Sequence, residues 1–278
     1  MPERSTNKLL TSQKTANELN GSDWTRYSIS VWNDIRKAPE EAKLHHPAMF
    51  PTMLTTRLIK CFSTSDDKNI LDPFMGSGST LVSAINLGRR GIGFEINREY
   101  VKLAESRLAQ KPLFADYIPA DIYNESAIHI PERLQPESVH LCITSPPYWD
   151  ILSQKRTADY KQIRDYGENL DDISRITKYE DFLQSLIDIF EKVHHVLLPG
   201  KYCLVNVMDV RKKNQFYPLH SDLSYRMIDI GFLLDDIFIW DRRQEYNNLR
   251  PLGYPYVFRL NRIHEYILIF QKPRGKDL

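Results

Sequence analysis

Long hydrophobic runs are missing from this chain. No apolar stretch in its 278 residues approaches the roughly 18–20 that a membrane-crossing helix requires. The polar N-terminus also lacks the apolar centre of a secretory signal, so a cytoplasmic location is expected. Cysteine is scarce: Cys61, Cys142 and Cys203 are far apart, odd in number and set among apolar neighbours. That spacing favours neither a disulfide framework nor a zinc site, and leaves buried thiols as the expectation. A surplus of one charge is missing too, since 37 Lys and Arg face 36 Asp and Glu for a net charge of +1. Proteins that grip polyanions mainly through phosphates usually carry a basic excess, so any such surface here must be local. Two clusters qualify: Lys155, Arg156, Lys161 and Arg164 near Tyr160 and Tyr166, and Arg211, Lys212 and Lys213 near Phe216 and Tyr217. Two nucleotide-binding signatures are incomplete as well. Leu81 stands where the dinucleotide fingerprint needs its third glycine, and no Gly-Lys-Ser/Thr follows Gly76 and Gly78, which argues against a pyrophosphate cradle and a P-loop.

What is present is ample material for a core, with 42% apolar and 11% aromatic residues. Residues 1–23 are polar and aperiodic and are expected to be flexible. Residues 24–278 read as one domain. Apolar runs at 69–71, 91–96, 117–121, 139–143, 202–207, 233–240 and 265–270 predict strands, and amphipathic spacing predicts helices after residues 52, 78, 99 and 178. Alternation of this kind predicts an α/β fold: an open, mostly parallel Rossmann-like sheet of about seven strands, with helices on both faces and an antiparallel edge element.

Four polar residues are expected at the carboxyl ends of those strands: Asp72, Glu95, Asp121 and Ser145. Ligands of open α/β sheets bind beyond that edge, and the strand followed by Gly76-Ser77-Gly78 lets backbone approach a ligand closely. Asp72 precedes the turn, Glu95 could take both hydroxyls of a ribose, and Asp121 could accept from an adenine amine. Carboxylates and the face of Phe74 suit a nucleoside that also carries a positive charge, and S-adenosylmethionine is such a ligand. The segment Thr144-Ser145-Pro146-Pro147-Tyr148-Trp149 follows a buried run. Two successive prolines hold it away from helix and sheet. Ser145 Oγ and the Pro146 carbonyl would then accept from an exocyclic amine while Tyr148 stacks on its ring, in an in-line methyl transfer that needs positioning and no covalent intermediate.

With both segments in hand the chain resembles the amino-directed DNA methyltransferases, which methylate cytosine N4 or adenine N6. Asp72-Pro73-Phe74-Met75-Gly76-Ser77-Gly78-Ser79-Thr80 is similar to that family's cofactor motif, and 93–97 to its ribose-binding strand. The stretch 46–51 resembles the segment that packs against the methionine moiety. The resemblance implies a methyltransferase catalytic domain taking S-adenosylmethionine as a small-molecule donor and double-stranded DNA as substrate, with base flipping, as in restriction-modification systems. It implies catalytic roles for Ser145, Pro146, Pro147 and Tyr148, and cofactor contacts from Asp72, Pro73, Phe74, Gly76, Gly78, Ser79, Thr80, Glu95, Asp121, Pro47 and Phe50. Ser at 145 is similar to the cytosine N4 type. The motif order, cofactor segment first, is permuted relative to the group this cofactor segment most resembles. No separate recognition domain is left over, so target reading is expected from loops 150–178, 211–221 and 241–262, from the N-terminal segment, or from a second subunit in a homodimer.

Other acceptors fit the same clamp, namely adenine N6, RNA or a protein glutamine amide, and a silent nucleic-acid-binding module would share the fold. His264-Glu265 begins like a zinc-protease helix, but Leu268 holds the place of the second histidine and the surroundings read as strand. His194-His195 is expected at the end of a helix with no catalytic role.

Overall fold

The computed structural model describes residues 15–43, 49–109, 119–149, 172–246 and 249–275. Its strands, in chain order, are β1 (Val31–Trp32), β2 (Asn69–Asp72), β3 (Arg90–Phe94), β4 (Asp121–Tyr123), β5 (Val139–Thr144), β6 (Leu197–Val207), β7 (Val210–Lys212), β8 (Gln215–Tyr217), β9 (Leu233–Asp241) and β10 (His264–Gln271). The helices are α1 (Gly21–Tyr27), α2 (Pro39–Lys43), α3 (Thr52–Phe62), α4 (Ser79–Asn86), α5 (Arg98–Ala109), α6 (Ile130–Arg133), α7 (Tyr179–Val196) and α8 (Leu219–Asp229).

Eight of the described strands form one sheet in the order β1-β9-β10-β6-β5-β2-β3-β4, while β7 and β8 pair as a separate hairpin. From β4 to β6 the neighbours are parallel. β10 is reversed, antiparallel to both β6 and β9. The architecture is thus the expected open α/β sheet with an antiparallel element at one side. The eighth strand is β1, which adds in parallel to β9.

Strand alternation divides the core between the two faces. Ile70, Leu141, Ile143, Leu204, Ile267 and Ile269 pack with Leu54, Leu58 and Ile59 of α3 and with Trp32, Phe50 and Trp240. Their neighbours Leu71, Cys142, Cys203, Val205, Leu268 and Phe270 point the other way, against Phe182, Leu186 and Phe190 of α7 and Leu223 of α8. Full burial of each such Leu, Ile or Phe contributes about 1.5–3 kcal/mol. Cys142 and Cys203 are fully buried neighbours in register, and burial pushes the Cys142 thiol well above its ordinary pKa.

Several segments differ from expectation. Residues 24–27 close a helix, and a short strand beyond the expected ones follows at Val31–Trp32. The third parallel strand starts at Asp121 where it was expected to end, and 110–118 lie outside the described residues. The segment 211–221 is the β7–β8 hairpin and the start of α8. Most of 150–178 lies outside the described residues.

Candidate active site

From β2 the chain winds outward through β3 to β4, then returns to place β5 on the other side of β2. Helix crossovers therefore diverge between β2 and β5, and the space beyond their carboxyl ends is the sheet's switch point, where ligands of open α/β sheets bind. The two motifs singled out in the sequence leave from those two strand ends. Thr144 Oγ1 donates to Asp72 Oδ1 at 2.7 Å, tying one motif to the other.

The turn after β2 is shaped by its glycines. Gly76 and Gly78 have φ of 51° and 77°, in the left-handed region. At Gly78 a Cβ would lie 2.9 Å from Ala104 Cβ of α5, so only glycine allows this approach. Met75 N donates to Phe94 O at 3.0 Å and Gly78 N to Met75 O at 2.8 Å, which folds the bend over the end of β3. Arg107 of α5 braces it from below: Nη1 donates to Ser77 O, Ser77 Oγ and Ser79 Oγ, and Nη2 to Glu41 Oε1 at 3.1 Å. Both side chains of this ion pair are buried.

Glu95, one residue past β3, accepts from Gly76 N at 3.0 Å on one oxygen and from Asn97 N at 2.7 Å on the other. A carboxylate offers about four acceptor sites, so two remain for hydroxyl donors. Burial pushes its pKa up to about 7, against the pull of those two backbone donors. Asp72 sits deeper, 3% exposed. Its oxygens accept from Thr144, from Thr80 Oγ1 at 2.7 Å and from Phe74 N at 3.1 Å, and burial raises its pKa to about 6.

Beyond β5 the hydroxyls form a directed chain. Tyr148 Oη donates to Glu265 Oε2 at 2.9 Å, which spends its one proton. Ser145 Oγ lies 3.0 Å from Tyr148 Oη, so the shared proton belongs to Ser145; one of the serine's lone pairs accepts from Asn206 Nδ2 at 3.3 Å and the other stays unspent. Asn206 Nδ2 donates to Tyr148 Oη at 2.6 Å and to Glu265. Arg242 donates to the other oxygen of Glu265 and also to Glu245 at 2.7 Å. The guanidinium, packed 4.8 Å over the Trp240 ring, thus holds the carboxylate that orders the chain. Trp149 Nε1 donates to Ile176 O at 2.8 Å and the ring packs on Tyr179 and Tyr217, fixing the far end of the proline turn.

Ser145, Pro146, Pro147, Tyr148, Asp72, Pro73, Phe74, Gly76, Gly78, Ser79, Thr80 and Glu95 all gather at the β2–β5 edge. Among the expected cofactor contacts there, Phe74, Gly76 and Glu95 keep accessible surface, while Asp72, Pro73, Ser79 and Thr80 are buried. Asp72, expected at the ligand, braces the bend from inside, with threonine hydroxyls bonded to both of its oxygens. Asp121 is corrected in position: it opens β4 where it was expected to end a strand, and its carboxylate is ion-paired with Arg90 at the start of β3. The position it was expected to hold falls near Asn124, whose Nδ2 donates to the carbonyls of Glu95 and Ile96. Phe50 is buried against Trp240, and Pro47 lies outside the described residues. Reading the sequence missed Thr144, Glu41, Arg107, Asn206, Arg242 and Glu265. Thr144 adjoins the proline motif and could have been found from it; the others carry no local signal.

A model of a DNA methylase family matches residues 3–106 and 139–277 of the chain. The type II methyltransferase M.MjaI of Methanocaldococcus jannaschii is 29% identical over 166 residues, 52% of this chain and 53% of that protein. M2.DpnII of Streptococcus pneumoniae, also a type II methyltransferase, is 44% identical over 79 residues, 28% of this chain and 29% of that protein. The chain thus spans about half or less of the length of these relatives. Among solved structures, a DNA modification methylase of Thermus thermophilus is 28% identical, with a TM-score of 0.38 over 54% of this chain and 51% of that one.

Proposed function

We propose, for a chain that belongs to the amino-directed DNA methylase family, that it transfers a methyl group from S-adenosylmethionine to the exocyclic amine of a flipped base in double-stranded DNA. The observation that carries this reading is the hydrogen bond from Thr144 to Asp72, which makes a nucleoside-type pocket and an amine clamp neighbours on one sheet edge. When bound, S-adenosylmethionine supplies an electrophilic methyl group on a positively charged sulfur. The residues present fit it: the glycine bend admits close backbone approach, and Glu95 has acceptor capacity for a ribose diol. Asp72, Thr80 and Arg107 hold the bend in shape.

The amine of a nucleobase is a poor nucleophile because its lone pair is delocalised into the ring. Ser145 Oγ, kept as an acceptor by Tyr148 and Glu265, takes one N–H and the Pro146 carbonyl the other. These two bonds draw the nitrogen toward tetrahedral geometry and aim its lone pair outward. Pro147 keeps the turn rigid, and the Tyr148 ring offers a stacking face to the extruded base, which offsets part of the few kcal/mol of unstacking. Ser at position 145 supports cytosine N4 as the acceptor, and adenine N6 is the second reading.

The test is incubation with labelled S-adenosylmethionine and unmethylated DNA, RNA or bulk protein, followed by mass spectrometry of the modified residue. N4-methylcytosine in DNA is expected. N6-methyladenine would transfer the assignment to the second reading, and label confined to RNA or protein would overturn both.

A further inference from the structure

β9 ends and β10 begins at the same sheet edge as β5 and β6, since Thr144 is level with Val205, and Val207 with Tyr266. The connection between β9 and β10 therefore leaves the sheet at the edge that carries the candidate active site, on its β6 side. It is a built loop, closed at its base by Arg242 N donating to Ile263 O at 2.7 Å and higher up by Asn261 Nδ2 donating to Arg250 O at 2.7 Å. Its outer part turns large apolar side chains to solvent: Tyr254 is 78% exposed, Tyr256 94%, Phe258 87% and Leu260 70%. Exposed aromatic clusters of this size mark interaction sites. From Tyr246 to Ile263 the sequence has three arginines, Arg250, Arg259 and Arg262, and no Asp or Glu. The β7–β8 hairpin, with Arg211, Lys212 and Lys213, joins this surface, because Phe216 lies 4.7 Å from the Arg262 guanidinium and 5.4 Å from that of Arg211.

We propose that this aromatic and basic loop is a duplex-DNA contact surface, in which the arginines grip phosphates and Tyr256 and Phe258 enter the base stack where a base has left it. The proposal rests on the functional reading above and adds the part of the chain that holds the duplex open. A partner protein would meet the aromatic rings equally well, but a segment with three arginines and no carboxylate of its own, beside a hairpin with three more cations and with Asp209 as the acid facing Arg262, fits a polyanion. Apolar wedges inserted between base steps are a known way to stabilise an opened duplex.

The two kinds of contact leave different signatures in fluorescence anisotropy with a labelled duplex of mixed sequence. Arg250→Ala with Arg259→Ala is expected to weaken binding and to reduce the slope of log K against log salt by about two, near 0.9 for each lost phosphate contact. Tyr256→Ala with Phe258→Ala is expected to weaken binding by about tenfold with the salt slope unchanged. The aromatic pair lies at the surface, so unchanged thermal midpoints are expected alongside. Wild-type affinity in either double variant would overturn the proposal. So would a wild-type dimer that the aromatic variant splits while duplex affinity stays intact, which would assign the loop to a second copy of the chain. Because binding is read without turnover, a protein that holds DNA through this loop yet transfers no methyl group would defeat only the functional reading. Methylation by a protein whose variants bind normally would defeat only this inference.

Discussion

Ser145 has one proton and two lone pairs, and its neighbours decide which of them faces the crevice. Arg242 fixes Glu265, Glu265 takes the Tyr148 proton, and Tyr148 then accepts from Ser145. Glu265→Gln can reverse this order by offering an N–H to Tyr148, and Tyr148→Phe removes the link. Each is expected to lower kcat by about tenfold to a hundredfold, leaving cofactor affinity within about twofold. The double variant should be no worse than Tyr148→Phe alone, because both act through one hydroxyl. Additive losses would refute the ordering. Glu95 carries a second prediction. Its folded pKa, about 7, lies above the ordinary value, so the folded chain keeps a proton that the unfolded chain releases. The stability this group confers relative to Glu95→Gln is therefore full below the ordinary carboxylate range and lost as pH rises through 7. Cofactor affinity should move the opposite way, tightening from pH 6 to pH 8 as the carboxylate that accepts ribose hydroxyls forms, and going flat in Glu95→Gln. Urea unfolding and calorimetric titration at the two pH values check both signs. The placement of Ser145, Glu95 and Tyr148 just past strand ends was legible because they sit in short motifs there. The partner of Glu265 was not: the residue was placed correctly in a strand, but its contact with Tyr148 spans 117 positions, and no local pattern encodes it.

At the scale of elements, the glycine bend is the least tolerant part of the site. Gly78 and Gly88 both have left-handed φ, 77° and 69°, but a Cβ at Gly88 meets nothing within 4 Å while one at Gly78 meets Ala104. Gly88→Ala should therefore cost about 1–2 kcal/mol of backbone strain, and Gly78→Ala more, through the added overlap with α5. Thermal unfolding of the pair separates the two effects, and equal losses would remove the role assigned to the close approach. Arg107→Ala leaves buried Glu41 with two backbone donors but no counter-charge and the bend unbraced, so a loss of about 2–3 kcal/mol is expected together with weaker cofactor binding. Helix and strand types were legible from periodicity, which is strong where one face of α3 or α7 is buried. Boundaries were less so. The shift of β4 to Asp121–Tyr123 moved Asp121 away from the edge, because a three-residue strand has too little pattern to fix its own ends.

For the whole molecule, the parallel order was legible from alternation, since each βα unit must return to the same edge. Which strand ends become neighbours was expected from the motifs and follows physically from the direction of the chain's winding after β4. The reversed strand β10 carries Glu265 to the carboxyl edge, and the β9–β10 connection leaves from that edge with exposed aromatic side chains. One chain direction thus supplies both the carboxylate that holds Tyr148 and an exposed aromatic surface at the same edge. The most direct measurement is a crystal structure with a non-transferable S-adenosylmethionine analogue bound. The account predicts the ribose hydroxyls on Glu95, the nucleoside against the Gly76–Gly78 bend, and the position of the transferable methyl group facing Ser145 across the gap between β2 and β5. An analogue seated elsewhere, or one whose methyl position points away from Ser145, would contradict it.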